Sequence, residues 1–419
     1  MEISTVCGNI REREIVLYGC PEEITPFLES YRKELTIKYA VTDHKQEVKL
    51  QQYAKWNVET VLLDNIVLED ELVIICGEEY FGLYIRRLLH LGKREYYDYI
   101  SRDLAQSMIE EKKILICMGT QLIGQLCVLL QADCKITEDY YIVYFPESEL
   151  REAYRNRYLE YEHICRWCEI YIRSSCEKTN FYRKLLRKDV FQPHCRMITV
   201  ADYGFGGYFP QVERNRDKYS DYLIRERDRL RMSYETLFLS RTDQIMENCC
   251  LKGDDIDAIV KRITEGHCFS ADYVLDYFKQ EIERFRSLEV HDDIQLSDFI
   301  EQHREENLCR NLNEWNEQIV LYVAGEILKR IGLEGLTFDV EESRHLLEEA
   351  SGTELLIYPE VREALGMSES LKDKKYRLTT YYSVKYLNMA EYVEYIATQM
   401  YKAMDIMQFT GMDQNLMEE

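Results

Sequence analysis

From residue 13 to residue 211 the apolar positions alternate between short unbroken runs and helically spaced stripes. The clearest instance is Lys112 to Leu130, KKILICMGTQLIGQLCVLL. Ile114, Leu115, Ile116 and Cys117 form the continuous run of a strand buried on both faces, Gly119 permits a tight turn, and Leu122, Leu126, Leu129 and Leu130 recur three and four residues apart. The pattern predicts strand, turn and helix. Gly119, Thr120 and Gln121 then lie at the carboxyl end of a strand and the amino end of a helix, where backbone N–H groups point outward and open α/β sheets collect ligands.

The same alternation starts earlier. Strands are predicted at 14–19, 35–41, 58–63 and 72–76, with helices over 24–35, 45–55 and 80–91, and a helix over 102–112 joins this set to the next. After Lys113 further strands follow at 140–145, 168–172 and 196–200. The fold class is therefore α/β: two Rossmann-like parallel-sheet units, the second extended by a large helical region. Residues 1–110 form the N-terminal module and residues 111–419 the second domain, with a sheet part over 111–211 and a helical part over 212–419. Helices are expected at 216–247, 254–266, 272–288, 296–302, 313–332 and 384–407.

Composition narrows the function classes. With 46% apolar and 31% charged residues the chain is globular, and a formal charge of −23 argues against a nucleic-acid backbone or an anionic membrane surface as its main partner. The first residues lack a signal-peptide pattern, and no apolar run is long enough to cross a bilayer, so a cytoplasmic protein without membrane insertion is expected. The 14 cysteines are scattered and read as reduced thiols. His163, Cys165 and Cys168 form a small cluster without a second paired knuckle, so no metal site is assigned.

The N-terminal module invites a dinucleotide reading, since Asp43 falls where a ribose-binding acid would lie. Its turn, Gly19-Cys20-Pro21-Glu22-Glu23, argues otherwise. One glycine stands where three are expected, and two carboxylates would repel a pyrophosphate. The module is expected to be structural or partner-binding, including homo-oligomer formation.

Four segments in register carry a family likeness: Met118-Gly119-Thr120-Gln121, Gly207-Tyr208-Phe209-Pro210, Ser297-Asp298-Phe299-Ile300, and Leu308-Cys309 leading to Asn313-Glu314-Trp315. In order and spacing they resemble the WcbI family of predicted capsular-polysaccharide acetyltransferases. Thr120 stands at the family's cysteine position and Glu314 at its histidine position. The resemblance implies coenzyme A or acetyl-coenzyme A as cofactor and a glycan precursor or nucleotide sugar as partner. It makes Thr120, Gln121 and Glu314 the catalytic candidates, and Gly119, Tyr208, Pro210, Asn313 and Asp298 the substrate-binding ones. A threonine hydroxyl ionises far less readily than a thiol, which favours direct attack by a sugar hydroxyl with Glu314 as base. The alternatives are a non-catalytic relative that binds a glycan or a glycan-assembly partner, and an esterase-type hydrolase using the same corner.

Two further features are weighed on the residues alone. The loop 201–211, with three glycines and Tyr203, Phe205, Tyr208 and Phe209, suits either a substrate-lining loop or a buried turn. Arg225, Arg227, Arg229 and Arg231 read as a solvated surface, and the family resemblance makes them one source of cations for coenzyme A phosphates.

Overall fold

The computed structural model describes residues 10–43, 53–77, 81–93, 98–146, 164–175, 191, 193–212, 243–333, 335–337, 340–348, 352–367, 371, 373–380 and 382–409. The arginine run, His163 and most of the helix expected over 216–247 lie outside these residues. Two compact units divide the chain: Met1–Ser174 with Lys178–Ile198, and Ser175–Glu177 with Thr199–Glu419.

The first unit contains two parallel sheets, one on each side of residue 110 in sequence. In the first, β1 (Glu14–Tyr18), β2 (Thr36–Thr42), β3 (Glu59–Leu62), β4 (Leu72–Ile75) and β5 (Tyr99–Ser101) are ordered β3-β2-β1-β4-β5. The strands of this sheet pair in parallel throughout, with Leu17 facing Ala40 on one side and Ile74 on the other. β1 is buried from Ile15 to Tyr18, as a continuous apolar run in a central parallel strand should be. Helices α1 (Pro21–Tyr31), α2 (Phe81–His90) and α3 (Arg102–Ile109) are the described α-helices of this layer, and most of the helix expected over 45–55 lies outside the described residues. Pro21 opens α1 at a position where its missing N–H is not needed, and the Ser101 side chain accepts the Leu104 N–H at the start of α3. β5 is so short that its apolar content gives no periodicity, and it was not expected.

The second sheet has the order β7-β6-β8-β9, from β6 (Lys113–Gly119), β7 (Tyr140–Pro146), β8 (Cys168–Ser175) and β9 (Arg196–Ala201). β6 is flanked on both sides by parallel neighbours. It feeds directly into α4 (Gln121–Ala132), on which Leu122, Ile123, Leu126, Leu129 and Leu130 are all fully buried. Each such aliphatic side chain contributes about 1.5–3 kcal/mol relative to exposure, so this helix is fixed firmly to its sheet. A short α5 (Cys134–Asp139), capped by Asp133, leads into β7.

The second unit is mostly helical: α6 (Gln244–Lys252), α7 (Ile256–Thr264), α8 (Ala271–Leu288), α9 (Ser297–Gln302), α10 (Glu317–Ile331), α11 (Val340–Glu348), α12 (Pro359–Leu365) and α13 (Met389–Phe409). Two antiparallel hairpins interrupt it, β10 (Cys309–Asn311) with β11 (Glu314–Trp315), and β12 (Tyr376–Thr379) with β13 (Val384–Leu387). Both correct the sequence reading. Asn313 and Glu314 belong to a hairpin, and the helix starts only after the Asn316 N-cap. Val384–Leu387 is a strand because Asn388 breaks the run: its side chain accepts the Glu391 N–H, and Glu391 in return accepts the Asn388 N–H. Among the described residues no helix is long and apolar enough to cross a membrane.

Candidate functional site

The turn between β6 and α4 is built for a glycine. Gly119 has φ +154°, and a Cβ there would overlap the Ser174 hydroxyl. That hydroxyl accepts the Thr120 N–H at 3.4 Å, while the Tyr144 hydroxyl bridges the Gly119 and Thr120 carbonyls at 3.2 and 3.1 Å. The backbone is thus held from both neighbouring strands. Thr120 is the N-cap residue of α4, yet its hydroxyl does not cap the helix. Oγ1 is buried with no hydrogen-bond partner among the described residues. Among the described residues no base touches it, so none of them would ionise it. Gln121 is exposed at the first helical position, and one turn further the amide of Gln125 is buried with neither its oxygen nor its nitrogen hydrogen-bonded. Unsatisfied buried groups are uncommon and mark places where a ligand or water completes the structure.

The remaining motif residues belong to the second unit, where the structure joins two of the motifs. The loop after β9 is clasped to the β10–β11 hairpin: the Phe205 N–H donates to the Leu312 carbonyl at 2.8 Å, and the Trp315 indole N–H donates to Asp202 at 3.2 Å. Asn313 sits at the same clasp, its Oδ1 at 2.8 Å from where a Cβ on Gly204 would be. From the other side the Gly206 N–H donates to Glu281 at 2.9 Å, and Arg284 donates to the Gly204 carbonyl. Phe205, Tyr208, Phe278, Phe285 and Trp315 pack ring against ring. Tyr208 is fully buried in this cluster and Pro210 is buried beside it, so the loop's aromatic surface is a core.

Glu314 is 2% exposed. Its carboxylate accepts the Gly352 N–H at 2.8 Å and the Asn311 amide at 3.0 Å. Burial raises its pKa, and those two donors together with Arg310 pull the other way. Asp298 is exposed and paired with Arg286 at 2.9 Å. The first turn of its helix is served instead by buried Glu289, which accepts the Leu296 and Ser297 N–H groups and the Ser297 hydroxyl. His303 stacks on Phe299, with centroids 4.1 Å apart, and its Nδ1 meets the Phe299 carbonyl.

Sequence reasoning missed a cavity of about 550 Å³ in the second unit, lined by Arg310, Arg344, Lys374, Lys375 and Arg377 among others. The signal was available in Lys374-Lys375-Tyr376-Arg377, a basic run in an acidic chain, but no periodicity tied it to Arg310. Among the described residues no group of three or more His, Cys, Asp or Glu is placed to hold a metal. In the N-terminal sheet, at the crevice between β1 and β4, the Glu23 carboxylate accepts the Cys20 N–H at 2.8 Å. It lies 2.6 Å from where a Cβ on Gly77 would be. Asp43 is engaged by the Tyr18 hydroxyl and the Arg87 guanidinium.

Residues 184–336 match the sequence model of a family described as polysaccharide biosynthesis enzyme WcbI. None of the curated proteins compared matches the chain. Among solved structures the chain is similar to WcbI, a polysaccharide biosynthesis enzyme, solved as native protein without a disulfide bond between coenzyme A and one of its cysteines. The identity is 13% and the TM-score 0.50, over 70% of this chain and 90% of that one. The likeness is one of fold.

Proposed function

Because residues 184–336 carry the sequence of the WcbI family of polysaccharide biosynthesis enzymes, we propose that the chain acts in assembling a surface or capsular polysaccharide. Its reaction in this reading is transfer of an acyl group, acetyl in the first instance, from coenzyme A to a sugar hydroxyl. The solved WcbI structure is described in terms of coenzyme A, which brings that ligand into the reading. The observation that carries it is the Thr120 corner, where a buried hydroxyl that none of the described residues engages stands at the N-terminus of a firmly packed helix.

Acyl-coenzyme A, when bound, would supply the acyl group as an activated thioester, with coenzyme A as the leaving thiol. The chain's own contribution follows from the corner's geometry. Thr120 Oγ1 and the first N–H groups of α4, which no carbonyl within the helix can use, offer donors to an acyl oxygen as negative charge builds on it. Gln121, exposed at the same helix end, adds an amide that can orient the ligand. Tyr144 and Ser174 hold the backbone so that these donors do not have to reorganise. Glu314 in this reading braces its hairpin through Gly352 and Asn311. The proton of the attacking sugar hydroxyl then leaves to solvent or to the departing thiolate.

Calorimetry on the full chain with coenzyme A and acetyl-coenzyme A tests the proposal. Micromolar binding is expected, weakened at least tenfold in Thr120→Val, which keeps the shape and deletes the hydroxyl. Labelled acetyl should pass to a sugar acceptor without marking the protein. Absence of binding at millimolar coenzyme A, or binding indifferent to Thr120→Val, would sink it.

A further inference from the structure

The cavity of the second unit is walled by the N-terminus of α10, by β10, β12 and β13, by α11, and by the segment around Lys374. Its volume of about 550 Å³ lies within the range of small-molecule sites, and most of its lining residues are charged or polar. Leu371, the ring of Tyr386 and the aliphatic stems of the arginines and lysines supply apolar surface between the charged heads. That mixture suits a hydroxyl-rich molecule with an apolar ring face.

Charge narrows the ligand further. Three carboxylates serve three cations: Glu317 holds Arg310 at 3.3 Å and Arg344 at 2.8 Å, Glu354 holds Arg310 at 3.6 Å and Lys374 at 3.5 Å, and the exposed Glu341 also pairs with Arg344. The inner network is therefore balanced, and the exposed Lys375 adds a cation to the cavity wall. Glu305 and Glu306 also line the cavity, Glu306 engaged with the Gln318 amide at 2.7 Å. The Arg310 side chain is only 10% exposed, and its Nε has no hydrogen-bond partner among the described residues. Burial pushes the Lys374 ammonium below the ordinary lysine range, a cost that an added anion would relieve. The positive end of α10 reaches the cavity at Asn316, Glu317 and Gln318 and favours an anion as well. In a chain of net charge −23, a cavity whose lining carries five Lys and Arg side chains against four carboxylates departs from the average surface.

We propose that this cavity binds a sugar bearing a phosphate or carboxylate group, the anion seated by Arg310, Lys374 and Arg377 and the sugar ring laid against Tyr386. In polysaccharide assembly such a ligand is a phosphorylated or uronic precursor. The assignment deepens the biosynthetic reading but does not depend on acyl transfer, because it concerns binding alone.

Titration calorimetry of the full chain at low salt, without coenzyme A, separates the two. The probes are glucose 1-phosphate, glucuronate, glucose and inorganic phosphate. At least one anionic sugar should bind at micromolar to low millimolar concentration while glucose does not, and whichever binds tells a phosphate-bearing from a carboxylate-bearing ligand. Lys375→Glu, at an exposed position clear of the buried ion pairs, should weaken binding about tenfold, and Tyr386→Ala should weaken it several-fold. Failure of both anionic sugars to bind, or binding unchanged by Lys375→Glu, would overturn the site. Inorganic phosphate binding as tightly as the sugar phosphate would overturn the sugar. Loss of coenzyme A binding in Thr120→Val leaves these titrations unaffected.

Discussion

At the scale of single residues, the buried acids set the chemistry. Both oxygens of Glu314 are committed to donors, so Glu314→Gln must turn an amide nitrogen toward either the Gly352 N–H or the Asn311 amide. A donor facing a donor in a buried place costs about 1–3 kcal/mol, and urea unfolding of the variant should show a loss of that size. A hundredfold fall in turnover at unchanged stability would instead make Glu314 the base that its sequence position suggested. Asp243 gives a sharper signature. Burial lifts its pKa from 3.8 to about 7, against the Met246 N–H and the Tyr358 hydroxyl that favour the carboxylate. The folded form therefore binds a proton that the unfolded chain has already lost between these values. Its contribution is complete below about pH 4 and is lost as pH rises through 7, with a slope of at most roughly 1.4 kcal/mol per pH unit. Asp243→Asn, which keeps the N-cap and the Tyr358 bond, should flatten the stability profile between about pH 4 and 7. An unchanged profile would refute the assignment.

Elements were legible where their pattern was local. β1, β6 and α4 follow from unbroken apolar runs and helical stripes, because burial on both faces of a strand or one face of a helix writes itself into sequence spacing. The β10–β11 and β12–β13 hairpins were not legible. Their strands are two to four residues long, and their pairing is decided by tertiary partners such as the Leu312 carbonyl's bond to the Phe205 N–H. The corner at Gly119 was readable as a turn, but the hydroxyl of Ser174 that makes glycine obligatory comes from β8, more than fifty positions on. Gly119→Ala should accordingly destabilise the chain by about 1–3 kcal/mol in thermal or urea unfolding. Ser174→Gly in the same chain should recover part of the loss by vacating the space. A neutral Gly119→Ala would show that the turn relaxes freely.

For the whole molecule, the family likeness ran through motifs whose physical duties differ. Thr120 stands at a turn ahead of an exposed Gln121, whereas Tyr208, Pro210 and Ser297 are buried in the framework of the second unit. Residue type could not separate the two duties, because tyrosine and serine serve either. The charged cavity escaped notice for the converse reason, its cations being drawn from segments more than sixty residues apart in sequence. In the N-terminal module the inference from sequence was negative, and the geometry gives it a cause. Glu23 occupies the crevice where a pyrophosphate would lie, and Asp43 is held by Tyr18 and Arg87. Calorimetry with NAD should give no binding, and micromolar affinity abolished by Asp43→Ala would overturn this.

The clasp between the loop after β9 and the β10–β11 hairpin has a practical consequence. Trp315 is one of three tryptophans in the chain, fully buried, with its indole N–H on Asp202, and it stands five residues from the Arg310 guanidinium of the cavity wall. Emission from an indole depends strongly on the polarity and hydrogen bonding around it, so the hairpin carries its own optical gauge. With Trp56 and Trp167 changed to phenylalanine, the fluorescence of Trp315 alone would report on the wall that bears Arg310, and occupancy of the cavity could be followed in real time without attaching any label.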